Sequence, residues 1–133
     1  MKFLLDTDTC VFWLRGHTPV RNRLAAAKPE DIVVSVITLA ELRYGATCSE
    51  RPASNHQAID DFVSPLSVLG VDPQIAQTFG EIKAHLRQEG KLIEDLDLLL
   101  AATARTYGLA LVTNNQEHFS RVANLRLENW TTT

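Results

Sequence analysis

The sequence predicts an α/β fold with a mostly parallel central sheet and helices on both faces, a three-layer α/β/α arrangement in one domain over residues 1–133. Two observations carry this. Short apolar runs alternate with longer helical segments, and no internal repeat, low-complexity tract or linker divides the chain. The run Ile32 to Val36 has no polar alternation beyond Ser35, the pattern of a strand buried on both faces.

Each element has a local reason. Lys2 to Leu5 reads as a short buried strand, ended by the polar run Asp6-Thr7-Asp8-Thr9. Cys10 to Arg15 reads as a helix stopped by Gly16, and Pro19 to Lys28 as a second helix with Pro in its first turn, where a missing N–H costs little. After the strand Ile32 to Val36 come helices Thr38 to Thr47 and Ser54 to Ser64, then a short strand Ser67 to Val71. Asp72-Pro73 opens a long amphipathic helix ending near Gly90, and a further helix starts at Glu94 or Leu96 and stops at Gly108. Leu109 to Thr113 reads as a strand, Glu117 to Val122 as a helical turn, and Leu125 to Leu127 as a last strand.

Composition bounds the rest. With 45% apolar and 22% charged residues the chain has ordinary globular composition, which excludes a disordered chain. Cys10 and Cys48 are too few for a disulfide framework and lack metal-ligand spacing. The apolar start stops at Asp6 and the stretch Leu98 to Ala102 is far short of a membrane span, so a cytoplasmic protein is expected. A net charge of −3 argues against holding nucleic acid by bulk positive charge. Locally the balance differs: Thr9 to Pro29 has no acid, while Arg15, Arg21, Arg23 and Lys28 supply +4.

In parallel sheets ligands sit beyond the carboxyl ends of the strands, so the residues there are the candidates. Asp6 and Asp8 follow the first strand, Thr38 and Glu41 the second, and Thr113, Asn114 and Asn115 the run Leu109 to Val112. Asp95 and Asp97 lie in the first turn of the helix near Glu94. Carboxylates from three separated segments thus converge on one sheet edge, where they resist ionising together unless a cation neutralises them. Oxygen-only ligands suit Mg²⁺ or Mn²⁺. Each acid also has a local structural reading: Thr38 to Glu41 matches a capping box, Asp6 an N-cap, and Glu94, Asp95 and Asp97 a helix N-terminus.

Leu4-Leu5-Asp6-Thr7-Asp8, followed by Ser35 through Gly45, resembles the first two motifs of PIN-domain nucleases. Asp97-Leu98-Leu99-Leu100-Ala101-Ala102 resembles the third, and Leu111 through Asn115 with Phe119 and Leu125 to Trp130 resembles the carboxy-terminal segment. The likeness spans nearly the whole chain and is closest to VapC-type toxins of toxin–antitoxin pairs. It implies a PIN-like fold and a ribonuclease whose metal-binding acids are Asp6, Glu41 and Asp97, with Asp6 and Asp97 the principal ligands and Glu41 a further ligand or base. Asp8, where many relatives carry Asn, adds a carboxylate, and Asn115, where many carry a fourth acid, brings an oxygen without charge. Glu117, the nearest acid in sequence, reads as solvent-facing, while Thr113 and Ser35 read as polar groups lining or supporting the site.

The implied chemistry is Mg²⁺- or Mn²⁺-assisted hydrolysis of an RNA phosphodiester by water, which leaves 5′-phosphate and 3′-hydroxyl ends. Arg15, Arg21 and Arg23 are the candidates to offset repulsion of the RNA backbone. Trp13 and Tyr44 read as core packing ahead of base stacking, and His17, His56, His85 and His118 as surface residues. The resemblance further implies a structured RNA substrate, a tRNA or ribosomal RNA loop, and a cognate antitoxin offering an apolar helix to a groove and an Arg to the carboxylates. The apolar stretch between Ala40 and Leu69 is a candidate for that contact or for a homodimer. Two other readings compete. Asp6-Thr7-Asp8-Thr9 is similar to the nucleophile motif of haloacid-dehalogenase-like phosphatases, with Asp6 as nucleophile; alternatively the acids are all caps on a catalytically silent protein-binding module.

Overall fold

In the computed structural model, which describes residues 1–132, the first strand β1 (Phe3–Leu5) is the centre of the molecule. It pairs in parallel with β2 (Ile32–Ser35) on one side and β4 (Ala110–Val112) on the other. Beyond these lie β3 (Ser67–Leu69) and β5 (Leu127–Glu128), giving the order β3-β2-β1-β4-β5 with every pair parallel.

The period of two assigns the faces. Leu4, Val33 and Leu111 share one register row and pack with α5 (Pro73–Gln88) and α6 (Asp95–Tyr107) through Ile75, Ile82, Leu86 and Leu98. Leu5, Val34 and Val112 form the next row and face the opposite layer. That layer holds α1 (Thr7–Leu14), α2 (Thr18–Ala26), α3 (Val36–Thr47) and α4 (Pro52–Val63). Crossovers toward β2 and β3 put their helices on one face. The return past β1 to β4 puts α5 and α6 on the other, so strand order reverses between β1 and β4.

The predicted elements all exist, with boundary shifts that have identifiable causes. The first helix starts at Thr7, not Cys10, because Asp6 caps it: its Oδ1 accepts the Thr9 N–H at 2.8 Å. The helix expected from Thr38 starts at Val36, because Ser35 ends the strand and caps the helix, accepting the Ile37 N–H at 3.0 Å. The Thr38–Glu41 capping box is therefore absent, and Thr38 is fully buried inside the helix. The helix expected from Pro19 to Lys28 ends at Ala26, before Lys28 and Pro29, which open a turn of 3-10 helix at Pro29–Asp31. The helical turn after β4, α7, covers Gln116–Phe119 in place of Glu117 to Val122. The last strand sits at Leu127–Glu128 in place of Leu125 to Leu127, where Leu111 and Val112 supply its partners.

Gly108 ends α6 in the left-handed region at φ 65°, as its place after Tyr107 predicts. A Cβ there would meet nothing within 4 Å. Gly108→Ala is accordingly expected to cost about 1 kcal/mol through the backbone alone, read as a lowered urea midpoint at unchanged slope.

Candidate active site

The carboxyl ends of β1, β2 and β4 and the amino end of α6 surround a cavity of about 190 Å³ lined by Asp6, Thr7, Asp8, Glu41, Glu94, Asp97, Asn115 and Phe119. Five of these are carboxylates, and no Lys or Arg lines the cavity. They come from three separated segments, as the strand-end rule requires.

Asp6 is buried at the floor, 4% exposed, where its capping bond to Thr9 fixes the side chain. Burial pushes its carboxyl above the usual range; hydrogen bonds from Thr113 and Thr9 work against this, and the charge of Asp8 adds to it. Thr113 is fully buried at the end of β4, and its Oγ1 also accepts the Asn115 N–H at 2.9 Å. Glu41 lies one turn into α3, and its Oε1 accepts the Thr7 hydroxyl at 2.6 Å, which itself lies 3.3 Å from the Thr38 hydroxyl. Arg43 on the same helix clasps α4, donating to the His56 carbonyl and pairing with Asp60.

At the amino end of α6 the three acids divide. Asp95 turns to Lys83, 2.9 Å away, while Glu94 and Asp97 line the cavity and Glu94 makes no side-chain cap. Asp97 is half-buried, and burial raises its carboxyl above the usual range. A hydrogen bond from His118 and the charge of that residue work against this, and Glu94 and Asp8 add to it. His118 Nε2 lies 3.0 Å from Asp97 Oδ2. Beneath the site, burial and then the charge of Asp6 push the Cys10 thiol well above its ordinary range, which leaves it a packing group.

The candidate acids Asp6, Asp8, Glu41 and Asp97 thus meet in one cavity, with Asn115 at its rim and Thr113 beneath. The basic candidates do not all join them. Arg15 lines a neighbouring groove of about 350 Å³ that shares Thr7 and Glu41 with the acid cavity. Arg21 instead stacks on Trp13 at 4.3 Å and lines a separate apolar groove, and Arg23 pairs with Glu128 at 3.2 Å. The reason is that α2 carries both away from the strand ends. Trp13 packs on Phe62 as expected, whereas Tyr44 is 74% exposed, contrary to the packing reading.

Three histidines also depart from a plain surface role, His56 by bridging Arg43 and Thr47 at 3.0 and 3.1 Å. His17 Nδ1 caps α2, and His118 belongs to the acid site, a contact made when the turn after β4 folds over the start of α6. Only its position next to Phe119, after the Thr113-Asn114-Asn115 run, hinted at this in the sequence.

Among the described residues no three His, Cys, Asp or Glu side chains stand close enough to enclose an ion by themselves. The donor set still fits Mg²⁺ or Mn²⁺: all oxygen, strongly negative and partly buried, for cations that bind through one or two carboxylates and keep several waters. Among the described residues no helix is long and apolar enough to cross a membrane.

The sequence model of the PIN domain matches residues 3–125. Ribonuclease VapC2 of Haemophilus influenzae is 42% identical over 130 residues, 98% of either chain. The tRNA(fMet)-specific endonuclease VapC of Shigella flexneri is 39% identical over 131 residues, again 98% of either chain. In the crystal structure of DNA-bound VapBC from Salmonella typhimurium, a chain 37% identical superposes with a TM-score of 0.93 over 98% of both chains. The phosphatase reading falls with this, since Asp6 to Thr9 form the cap and first turn of α1. With acids from three segments gathered at the switch point of a parallel five-stranded sheet, and these likenesses along its length, the chain belongs to the PIN-domain family, among the VapC ribonucleases.

Proposed function

We propose that the acid cavity hydrolyses RNA phosphodiesters with a divalent cation, as the toxin half of a toxin–antitoxin pair. The observation that carries this is the cavity itself: five carboxylates from three segments with no cationic side chain among them. Such a cluster disfavours its own ionisation and gains from a cation. PIN-domain ribonucleases as a family depend on divalent metals.

Asp6 and Asp97 are the residues that would hold the ion, with Glu41 reaching it through a bound water or acting as base, and Asp8 and the amide oxygen of Asn115 at the rim. A bound Mg²⁺ or Mn²⁺ supplies Lewis-acid polarisation of the phosphoryl group and a more acidic water. The chain's own contribution is positioning. The capping bond holds Asp6, Thr7 holds Glu41, and the sheet end leaves the cavity open to a phosphodiester. Glu41 is the acid best placed to take a proton, its Oε2 being free of the Thr7 bond. Arg15, in the groove that shares Thr7 and Glu41 with the acid cavity, is the cation that would meet the RNA backbone.

The groove between α1, α3 and α4 is lined by Val11, Leu14, Leu42, Ala46, Ala58 and Ile59 and runs into the acid cavity through Thr7 and Glu41. An antitoxin helix laid there would bring a basic side chain to the carboxylates. Two relatives are named for tRNA(fMet), and the same substrate is proposed here. Purified protein with Mn²⁺ is expected to cut an initiator tRNA transcript at one site and spare elongator tRNAs. Initiator tRNA left intact while another RNA is cut would overturn the substrate and keep the nuclease.

A further inference from the structure

Asp97 meets its surroundings on two sides. One is the acid cavity, which Asp97 lines. The other is His118, which does not line that cavity and whose Nε2 lies 3.0 Å from Oδ2. The imidazole is itself held in place. It sits on α7 beside Phe119, with the rings edge to face at 5.4 Å and 86°. Phe119 is 2% exposed and lines the cavity, so the ring that His118 leans on is part of the site wall. A carboxylate oxygen only accepts, so the Nε2–H donates.

We propose that His118 is a positioning residue of the nuclease site: its Nε2–H restrains the Asp97 carboxylate through Oδ2, so that the other oxygen is presented to the divalent cation. This rests on the cation-assisted reading above. Without the bond, Asp97 gives up side-chain freedom when it holds an ion; with it, that freedom is already lost. The chain also brings no charge at Asn115, so the hold on the ion depends more heavily on how well Asp97 is aimed.

Two variants separate the donor from the ring. His118→Phe keeps the packing on Phe119 and removes the donor, whereas His118→Gln keeps an N–H within reach and removes the ring. Calorimetric titration of cation-free protein with MnCl₂ is expected to show about 10–100-fold weaker binding for H118F and recovery to within about threefold of wild type for H118Q. At limiting Mn²⁺, kcat of H118F falls by the same order while KM for RNA is unchanged, and melting in EDTA verifies that each variant is folded. Mn²⁺ binding to H118F as tight as to wild type, or to H118Q as weak as to H118F, would overturn the proposal. So would ¹⁴N coupling in the pulsed EPR spectrum of the Mn²⁺ complex of wild type that is lost in H118Q, because it would make the imidazole a ligand. Should H118F not fold, His118→Leu removes the donor in its place and is held to the same expected loss. If wild type binds no Mn²⁺, the cation-assisted reading fails as well, which distinguishes that failure from this one.

Discussion

Asp6→Asn is expected to abolish cleavage while making the cation-free protein more stable at neutral pH. Asn caps a helix as well as Asp does, so the bond to the Thr9 N–H survives and α1 stays in place. What disappears is a buried negative charge. Burial holds the Asp6 carboxyl above its ordinary value of 3.8, so the folded chain binds more protons than the unfolded one between the two values. The contribution of Asp6 to stability is fully present below the unfolded value and is lost as pH rises through the folded one. Asp97, also raised, acts in the same direction. Cation-free wild type should therefore melt at a lower temperature at pH 7 than at mildly acidic pH, and Mn²⁺ should restore it. D6N should show a shallower pH dependence, a higher melting temperature in EDTA and a smaller gain from Mn²⁺. Its cleavage rate is expected to fall by roughly 10²-fold or more, since even partners outside a metal's ligand set cost about 10–100-fold. Melting curves in EDTA and Mn²⁺ across pH, together with single-turnover cleavage, test both halves.

Leu98→Ala should destabilise the fold by about 2–5 kcal/mol. Leu98 is fully buried, next to Asp97 in the first turns of α6, in the cluster that joins α6 to Leu4, Val33 and Leu111 of the sheet. A cavity there removes packing from both the sheet row and the helix that presents Asp97. Against a typical total of about 5–15 kcal/mol, the loss is severe enough to shift the urea midpoint strongly. Cleavage by the fraction that remains folded should also decline, because the carboxylate loses its rigid support. A midpoint within error of wild type would mean that α6 is held by something other than this cluster.

Much of this was legible in the residues. The uninterrupted apolar runs at Leu4-Leu5, Ile32 to Val34 and Leu109 to Val112 are what a doubly covered parallel sheet requires, and the acids after them follow from where such sheets bind ligands. Local chemistry misled where two polar residues competed for one task. Thr38 and Glu41 have capping-box spacing, yet Ser35 caps α3 earlier, which releases Glu41 to the site. Contacts between distant segments were not legible. The pairing of His118 with Asp97 spans 21 positions and exists only because α7 lies across the start of α6. Likewise the charge-rich stretch from Arg15 to Lys28 looks like one basic surface in sequence, but α2 sends Arg21 to Trp13 and Arg23 to Glu128, leaving Arg15 beside the acids.

The central claim is that these carboxylates direct water at an RNA phosphodiester with a divalent cation, and the chemistry of the product ends tests it most directly. Wild-type protein should cleave RNA in Mg²⁺ or Mn²⁺, stop in EDTA, and leave 5′-phosphate and 3′-hydroxyl termini, identified by ligation and by mass. Cleavage that persists in EDTA would remove the cation from the mechanism, and fragments ending in a 2′,3′-cyclic phosphate would make the RNA's own hydroxyl the nucleophile; either result would contradict the account.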